Sequence, residues 1–414
     1  MRQDKGEVII IGAGPSGAVA AGLLRRAGRA VTLVEKEVFP RFCIGESLLP
    51  QSMEYIEAAG MLQDVVEAGF QFKNGAAFAC DTKHAQFDFR EKFSPGWGTT
   101  YQVPRGPFDK ALADAAARMG ADIRYRHEVT RVDLSGEKPV LSVLPKNGEA
   151  YTLTGDFLLD ASGYGRVLPR LLDLETPSEL PVRQAIFTHI EDRITRNAGF
   201  DREKILISVH PGKRDVWYWL IPFSNGRSSI GVVGRREQFA RADLEGLGER
   251  EQLRAWVMEA PNLAKLLRDA AWDTPAQHII GYSANVKALH GRHFALLGNA
   301  TEFLDPVFSS GVTIAFKSAD LAVKAILRQL AGEPVDWARA YAQPLMTGVN
   351  AFRAFVNAWY DCRLQDIIFH PSKHPEIKRM ISAVLAGYAW DENNPFVARA
   401  ERRLASLDAA CALG

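Results

Sequence analysis

The first apolar run, Val8-Ile9-Ile10-Ile11, leaves no polar position on either face, as expected of a parallel strand buried on both sides. Gly12-Ala13-Gly14-Pro15-Ser16-Gly17 follows at once, and a helical stretch then continues to about Ala27. A second apolar run over residues 30–34 ends in Glu35, which completes a βαβ unit. Phe108, Leu112, Ala115 and Ala116 recur at helical spacing behind Arg105. Two further buried-strand patterns, around residues 157–160 and 294–297, each pass into a turn of small residues. The second leads through Asp305-Pro306-Val307-Phe308-Ser309-Ser310-Gly311 into a helix with Val323, Ile326, Leu327 and Leu330 on one side. From about Val335 the pattern is helical and rich in aromatics, which predicts a tail that caps a core. Asp391-Glu392-Asn393-Asn394-Pro395 interrupts it before a last helix, where Arg399, Arg402 and Arg403 form a solvated face.

Trp217-Tyr218-Trp219-Leu220-Ile221-Pro222 stands in mid-chain. On a strand, residues two apart share a face, so both indoles point the same way. Pro222 then ends the strand or marks an edge. By itself the pair reads either as packing between sheet and helix or as the wall of a cavity.

Composition narrows the class without naming the chemistry. A chain of 414 residues exceeds the usual size of a single core, which predicts about two or three structural units. Hydrophobic content of 47% and charged content of 24% are ordinary for a globular protein. A formal net charge of +1 gives no field to attract nucleic acid or an anionic membrane. Cys43, Cys80, Cys362 and Cys411 lie far apart, without metal-ligand spacing, and read as free thiols in a reducing compartment. No run reaches the roughly 18–20 apolar residues of a spanning helix, and no signal-type apolar core precedes the first strand. A cytoplasmic protein without a metal or a transmembrane segment is expected.

The glycine pattern carries the first chemical signal. Gly12 permits the tight turn, Gly14 lets backbone approach a pyrophosphate, and Gly17 lets the helix pack on the strand. The helix N-terminus offers N–H groups to phosphates, and Glu35 can accept from the ribose hydroxyls. That fingerprint alone does not separate FAD from NAD; the later strand-turn units and Arg105 favour FAD.

Taken in order, these pieces resemble the FAD-dependent oxidoreductases of the para-hydroxybenzoate hydroxylase-like fold, and within them the flavin-dependent halogenases. The resemblance spans about residues 7–330. It rests on Gly12 to Gly17 with Glu35, on Gly45-Glu46-Ser47-Leu48-Leu49-Pro50, on Arg105 with Phe108-Asp109, and on Asp160-Ala161-Ser162-Gly163. Trp217 to Pro222 and Phe303 to Gly311 complete it. It implies an α/β architecture: a glutathione-reductase-like, Rossmann-type FAD-binding domain (1–70, 100–165 and 275–330), an inserted β-sheet substrate domain (71–99 and 166–274), and a helical C-terminal region (331–414). It assigns FAD to Gly12, Gly14, Ser16, Gly17, Glu35, Arg41, Ser47, Arg105, Val129, Asp160, Asn299, Pro306, Gly311 and Val312. Reduced FAD, supplied by a separate flavin reductase, would form a hydroperoxide with O₂ and oxidise chloride or bromide held by Ser310 and Gly311. Lys73 would then capture the hypohalous acid, and Trp217 and Trp219 would hold an aromatic substrate away from the flavin.

Three departures refine this expectation. Phe308 stands where indole-type members carry a glutamate, which points to phenol- or pyrrole-type rings. Asn299 replaces the aspartate of a usual Gly-Asp-Ala and brings no charge. The tail closes early, without the length for a large lid. A carrier-protein-tethered ring is one substrate form, because an acidic acyl carrier protein could dock on Arg399, Arg402 and Arg403. The alternatives are a single-component FAD monooxygenase or reductase on an aromatic or polyene chain, and a catalytically silent FAD-binding member of a biosynthetic assembly.

Overall fold

A computed structural model describes residues 3–41, 43–195, 197–371 and 374–412. A five-stranded parallel sheet runs in the order Phe294–Leu296, Phe157–Asp160, Val8–Ile11, Val31–Glu35, Asp122–Tyr125. Period-two alternation sends the Val8–Ile11 side chains to two cores. Val8 and Ile10 pack with the helices Pro15–Arg26, Arg105–Arg118 and Ser310–Leu330, while Ile9 and Ile11 meet a four-stranded sheet that includes His127–Asp133 and Val140–Pro145. Burial on both faces is the reason for the unbroken apolar run.

The second layer is a seven-stranded sheet, ordered Gln277–Ile280, Arg183–Glu191, Arg227–Arg235, Lys213–Pro222, Lys204–His210, Gly75–Cys80, Lys83–Asp88. Gln277–Ile280 pairs with Arg183–Glu191, although it lies in the stretch assigned above to the nucleotide-binding domain. Lys213–Pro222 is an interior strand, and Pro222 ends it. Trp217, Trp219 and Ile221 face the nucleotide-binding layer; Val216, Tyr218 and Leu220 face a second core beneath the helix Glu249–Met258. A short ribbon, Gln71–Lys73 against Thr100–Gln102, sits between the layers and bridges through Gln102 to Ser47.

The tail folds back onto both layers. Trp337 stacks on Phe157 with ring centroids 4.7 Å apart, and Trp359 packs against Phe78 and Phe308. The helix Gln343–Tyr360 buries Phe352 and Phe355, so its aromatic pattern is a core pattern, as predicted. Arg399, Arg402 and Arg403 are exposed.

Gly231 lies opposite Trp219 in the sheet, and a Cβ there would fall 2.3 Å from the indole ring. Gly231→Ala must therefore push Trp219 off its seat. The expected cost is about 1–3 kcal/mol, typical of overpacking, read as a lowered urea midpoint with altered tryptophan emission.

Candidate active site

The two layers enclose a cavity. On its nucleotide side stand Gly14 and Ser16, the arginines Arg41 and Arg105, and Ser47. Asn299, Pro306, Gly311 and Val312 close one end, and Trp217, Trp219 and Ile221 form the opposite wall. Eleven residues predicted from the sequence thus meet in one space. The indoles lie on the same face, with centroids 5.9 Å apart, and wall the cavity rather than merely filling a core.

The remaining predicted residues lie behind the wall. Gly12 has φ +95°, and a Cβ there would sit 2.6 Å from the Ala161 carbonyl oxygen; one on Gly17 would sit 2.1 Å from that of Gly12. Both glycines therefore serve backbone packing around the turn. Glu35 accepts from the N–H groups of Ala13 and Glu37 at 2.8 Å each. A carboxylate has about four acceptor positions, so two remain for ribose hydroxyls. Asp160 is fully buried and accepts from the N–H groups of Ser162 and Leu168, which holds the turn 161–165 against the cavity. Burial pushes its carboxyl above the usual range. Val129 packs with Val34 in the core beside the four-stranded sheet, and Ser310 is buried next to Gly311 without lining the cavity.

These residues suit a dinucleotide carrying a flavin. Two helices of 12 and 21 residues, Pro15–Arg26 and Ser310–Leu330, begin at the cavity, and no side chain caps either N-terminus. Such ends offer unpaired N–H groups and partial positive charge to an anion. Arg41 lines the cavity with its Nε buried and without a partner. Arg105 is held by Asp109 at 2.7 and 3.0 Å and donates to the Ile44 carbonyl oxygen.

Lys73 is wholly buried. Its Nζ donates to Ser47 Oγ at 2.8 Å and to the Leu48 carbonyl oxygen at 2.7 Å, with the Phe89 ring centroid 5.5 Å away. Ser47 is part of the cavity wall, so the amine stands one hydroxyl behind it. Burial lowers the Lys73 pKa to about 7. A neutral amine has two N–H donors and one lone pair; with the donors committed to Ser47 and Leu48, the lone pair is free.

A buried network secures the aromatic wall. Trp217 Nε1 donates to the Tyr360 hydroxyl at 2.9 Å, and that hydroxyl donates to Asp305 Oδ2 at 2.9 Å. Tyr282 donates to the same oxygen at 3.1 Å, and the Val307 N–H donates to Oδ1 at 3.0 Å. Burial raises the Asp305 carboxyl pKa, opposed by the Arg183 cation, which lies 3.3 Å above the Tyr360 ring. Sequence reasoning missed Tyr360, 143 positions from Trp217, because no local pattern reports that contact. It also gave no role to Glu46, which lines the cavity, or to Arg166. The latter is buried at φ +44° and donates to the carbonyl oxygens of Asn299 and Asn285.

Two measurements follow from this geometry. Tyr360→Phe strands the Trp217 N–H and removes one Asp305 donor, with an expected loss of about 1–3 kcal/mol in urea unfolding. Between pH 7 and 10 the unfolded chain holds a proton on residue 73 that the folded chain releases. Wild-type stability should therefore rise with pH relative to Lys73→Met, by up to about 1.4 kcal/mol per pH unit, and the difference should flatten below pH 7.

Comparison with known proteins identifies the family. The FAD binding domain family matches residues 5–271. A flavin-dependent halogenase of Penicillium aethiopicum is 31% identical over 375 residues, covering 85% of this chain and 70% of that protein. The 1H-pyrrole-2-carbonyl peptidyl-carrier-protein chlorinase of Pseudomonas fluorescens is 27% identical over 378 residues, or 86% and 83% of the two chains. Among solved structures, a flavoprotein/dehydrogenase from Cytophaga hutchinsonii superimposes with a TM-score of 0.95 at 42% identity, over 99% and 100% of the chains. The flavin-dependent brominase Bmp2 does so with a TM-score of 0.83 at 27% identity, over 98% and 100%. With its cofactor cavity, paired-indole wall and buried lysine, the chain belongs to the flavin-dependent halogenases, a family of FAD-dependent oxidoreductases.

Proposed function

We propose that this enzyme halogenates an electron-rich ring of the phenol or pyrrole type, using hypohalous acid generated from O₂ and halide. The observation that carries the reading is the wholly buried Lys73 amine, one hydroxyl behind a cavity shared by the cofactor loops and Trp217 and Trp219. FAD, when bound in reduced form, supplies the electrons that activate O₂.

This chain's residues do the rest. Gly14, Arg41, Arg105 and the two helix N-termini hold the cofactor's phosphates and ring system, and the backbone at Gly311 receives the halide. Burial lowers the Lys73 pKa to about 7, which brings both the ammonium and the amine within reach near neutral pH. Lys73 can donate to a hypohalous acid as ammonium or take the halogen on its lone pair as amine. The indoles and Ile221 exclude water and set the distance between oxidant and ring. Phe308, buried and apolar, leaves the ring to stabilise its own cationic intermediate, which suits a phenol or pyrrole. The pyrrole chlorinase relative supports a carrier-tethered substrate, for which exposed Arg399, Arg402 and Arg403 are a suitable face. One dinucleotide fingerprint supports reduction by a separate flavin reductase, and four free cysteines support a cytoplasmic setting. Among the described residues, no helix is long and apolar enough to cross a membrane.

A second reading, an FAD-dependent dehydrogenase, draws on the name of the Cytophaga hutchinsonii relative. The test is mass spectrometry of products from phenols and pyrroles, free and carrier-tethered, with a flavin reductase in chloride and then in bromide. A halogen mass shift is expected, reduced about 100-fold or more by Lys73→Ala with FAD binding retained. Substrate-dependent reduction of an added electron acceptor without halogenated product would favour the dehydrogenase, and NADPH oxidation without added reductase would favour a single-component FAD monooxygenase.

A further inference from the structure

Glu46 is the single carboxylate among the described residues that line the cavity, and it is only 3% exposed. Its Oε1 lies 2.6 Å from His189 Nε2. His189 lies in Arg183–Glu191, two residues beyond Phe187, and shares a cross-strand rung with Ser229 and Ile221. Trp219 and Phe187 flank Gly231 two rungs along, on the same face of the sheet, and the Trp219 indole N–H donates to Ser229 Oγ at 3.0 Å. Phe223 packs edge-on against the imidazole, with ring centroids 5.1 Å apart. The carboxylate is therefore held at the aromatic wall by the sheet that builds that wall.

The backbone fixes the other side. Gly45 has φ +96°, and the Glu46 carbonyl oxygen accepts from the Val103 N–H at 2.7 Å. The next residue, Ser47, accepts from Lys73. Two successive residues thus serve two partners: Glu46 joins the imidazole at the wall, and Ser47 joins the amine.

We propose that Glu46 is the proton acceptor of the ring substitution and that His189 is its positioning residue. The proposal rests on the ring-halogenation reading above. In the step, a ring electron pair forms the carbon–halogen bond as the halogen–oxygen bond of hypohalous acid breaks. The departing hydroxide takes a proton from the Lys73 ammonium and leaves as water. The ring C–H pair returns to the ring, and its proton passes to the Glu46 carboxylate, which releases it to solvent as product leaves, while the Lys73 amine regains a proton from solvent. The net change is Ar–H plus hypohalous acid to Ar–X plus water. A fixed acceptor matters because Ile205, Trp217, Trp219 and Ile221 give the ring an apolar wall that carries no side-chain proton acceptor.

The experiment uses full-length holoenzyme with a flavin reductase. Glu46→Gln keeps the side chain's shape and can still bond His189, but cannot take the proton. Monochlorodimedone consumption reads hypohalous acid output; phenol and pyrrole, each with and without ring deuterium, read the substitution. The expected result is ring product lowered about 100-fold relative to trap consumption by the same variant, and a C–H/C–D isotope effect well above the near-unit value of wild type. Glu46→Asp, which keeps the charge with shorter reach, should retain more product than Glu46→Gln. Normal product from Glu46→Gln overturns the proposal. So does a loss with no isotope effect, or one that tracks lost FAD, either of which leaves Glu46 as a clasp between loop and sheet. Wild type that consumes the trap but halogenates neither ring overturns the ring reading itself.

Discussion

Burial of residues 216–222 of the strand Lys213–Pro222 on both faces governs the placement of everything else. One face seals the second core through Val216, Tyr218 and Leu220; the other presents Trp217, Trp219 and Ile221 to the nucleotide-binding layer. A strand gripped from both sides cannot slip by one residue, because a slip would exchange its two faces. The indoles are thereby fixed relative to cofactor loops that come from distant parts of the chain. Gly231 removes the side chain that would otherwise occupy the same space as Trp219.

The site also concentrates ionisable groups that water does not solvate. Lys73, Asp160 and Asp305 are fully buried, and burial works against the charged form of each. The aspartates are compensated by backbone N–H groups and, at Asp305, by two tyrosine hydroxyls and the nearby Arg183. Lys73 has a hydroxyl and a carbonyl oxygen as acceptors, and its reduced basicity follows from that poorer compensation. The difference separates the two carboxyls, each bound by several donors, from an amine that burial leaves less basic.

Local physics made much of this legible in the sequence. The run Val8–Ile11, the glycine turn and Glu35 are neighbours in the chain, and their spacing reports their geometry directly. The shared face of Trp217 and Trp219 followed from period-two alternation alone. What remained hidden was set by tertiary pairing. Gln277–Ile280 joins the seven-stranded sheet through hydrogen bonds to a strand about 90 residues earlier, which no local pattern encodes. Ser47 shields Lys73 because one ribbon residue pairs across to a loop. Tyr360 lies in a helix whose aromatic pattern correctly predicted burial, but burial does not say which hydroxyl meets which indole.

The link from Trp217 through Tyr360 to Asp305 joins three regions that otherwise meet only by packing. Asp305 directly precedes Pro306 at the cofactor end of the cavity, Trp217 belongs to the opposite wall, and Tyr360 closes a helix of the tail. The tail thus braces the cavity from behind, and none of its described residues lines it. Variation in those helices can tilt the aromatic wall without altering any residue that lines the cavity. The aromatic wall and the loop at the far end of the cavity therefore share one anchor in the tail, so a change there reaches both.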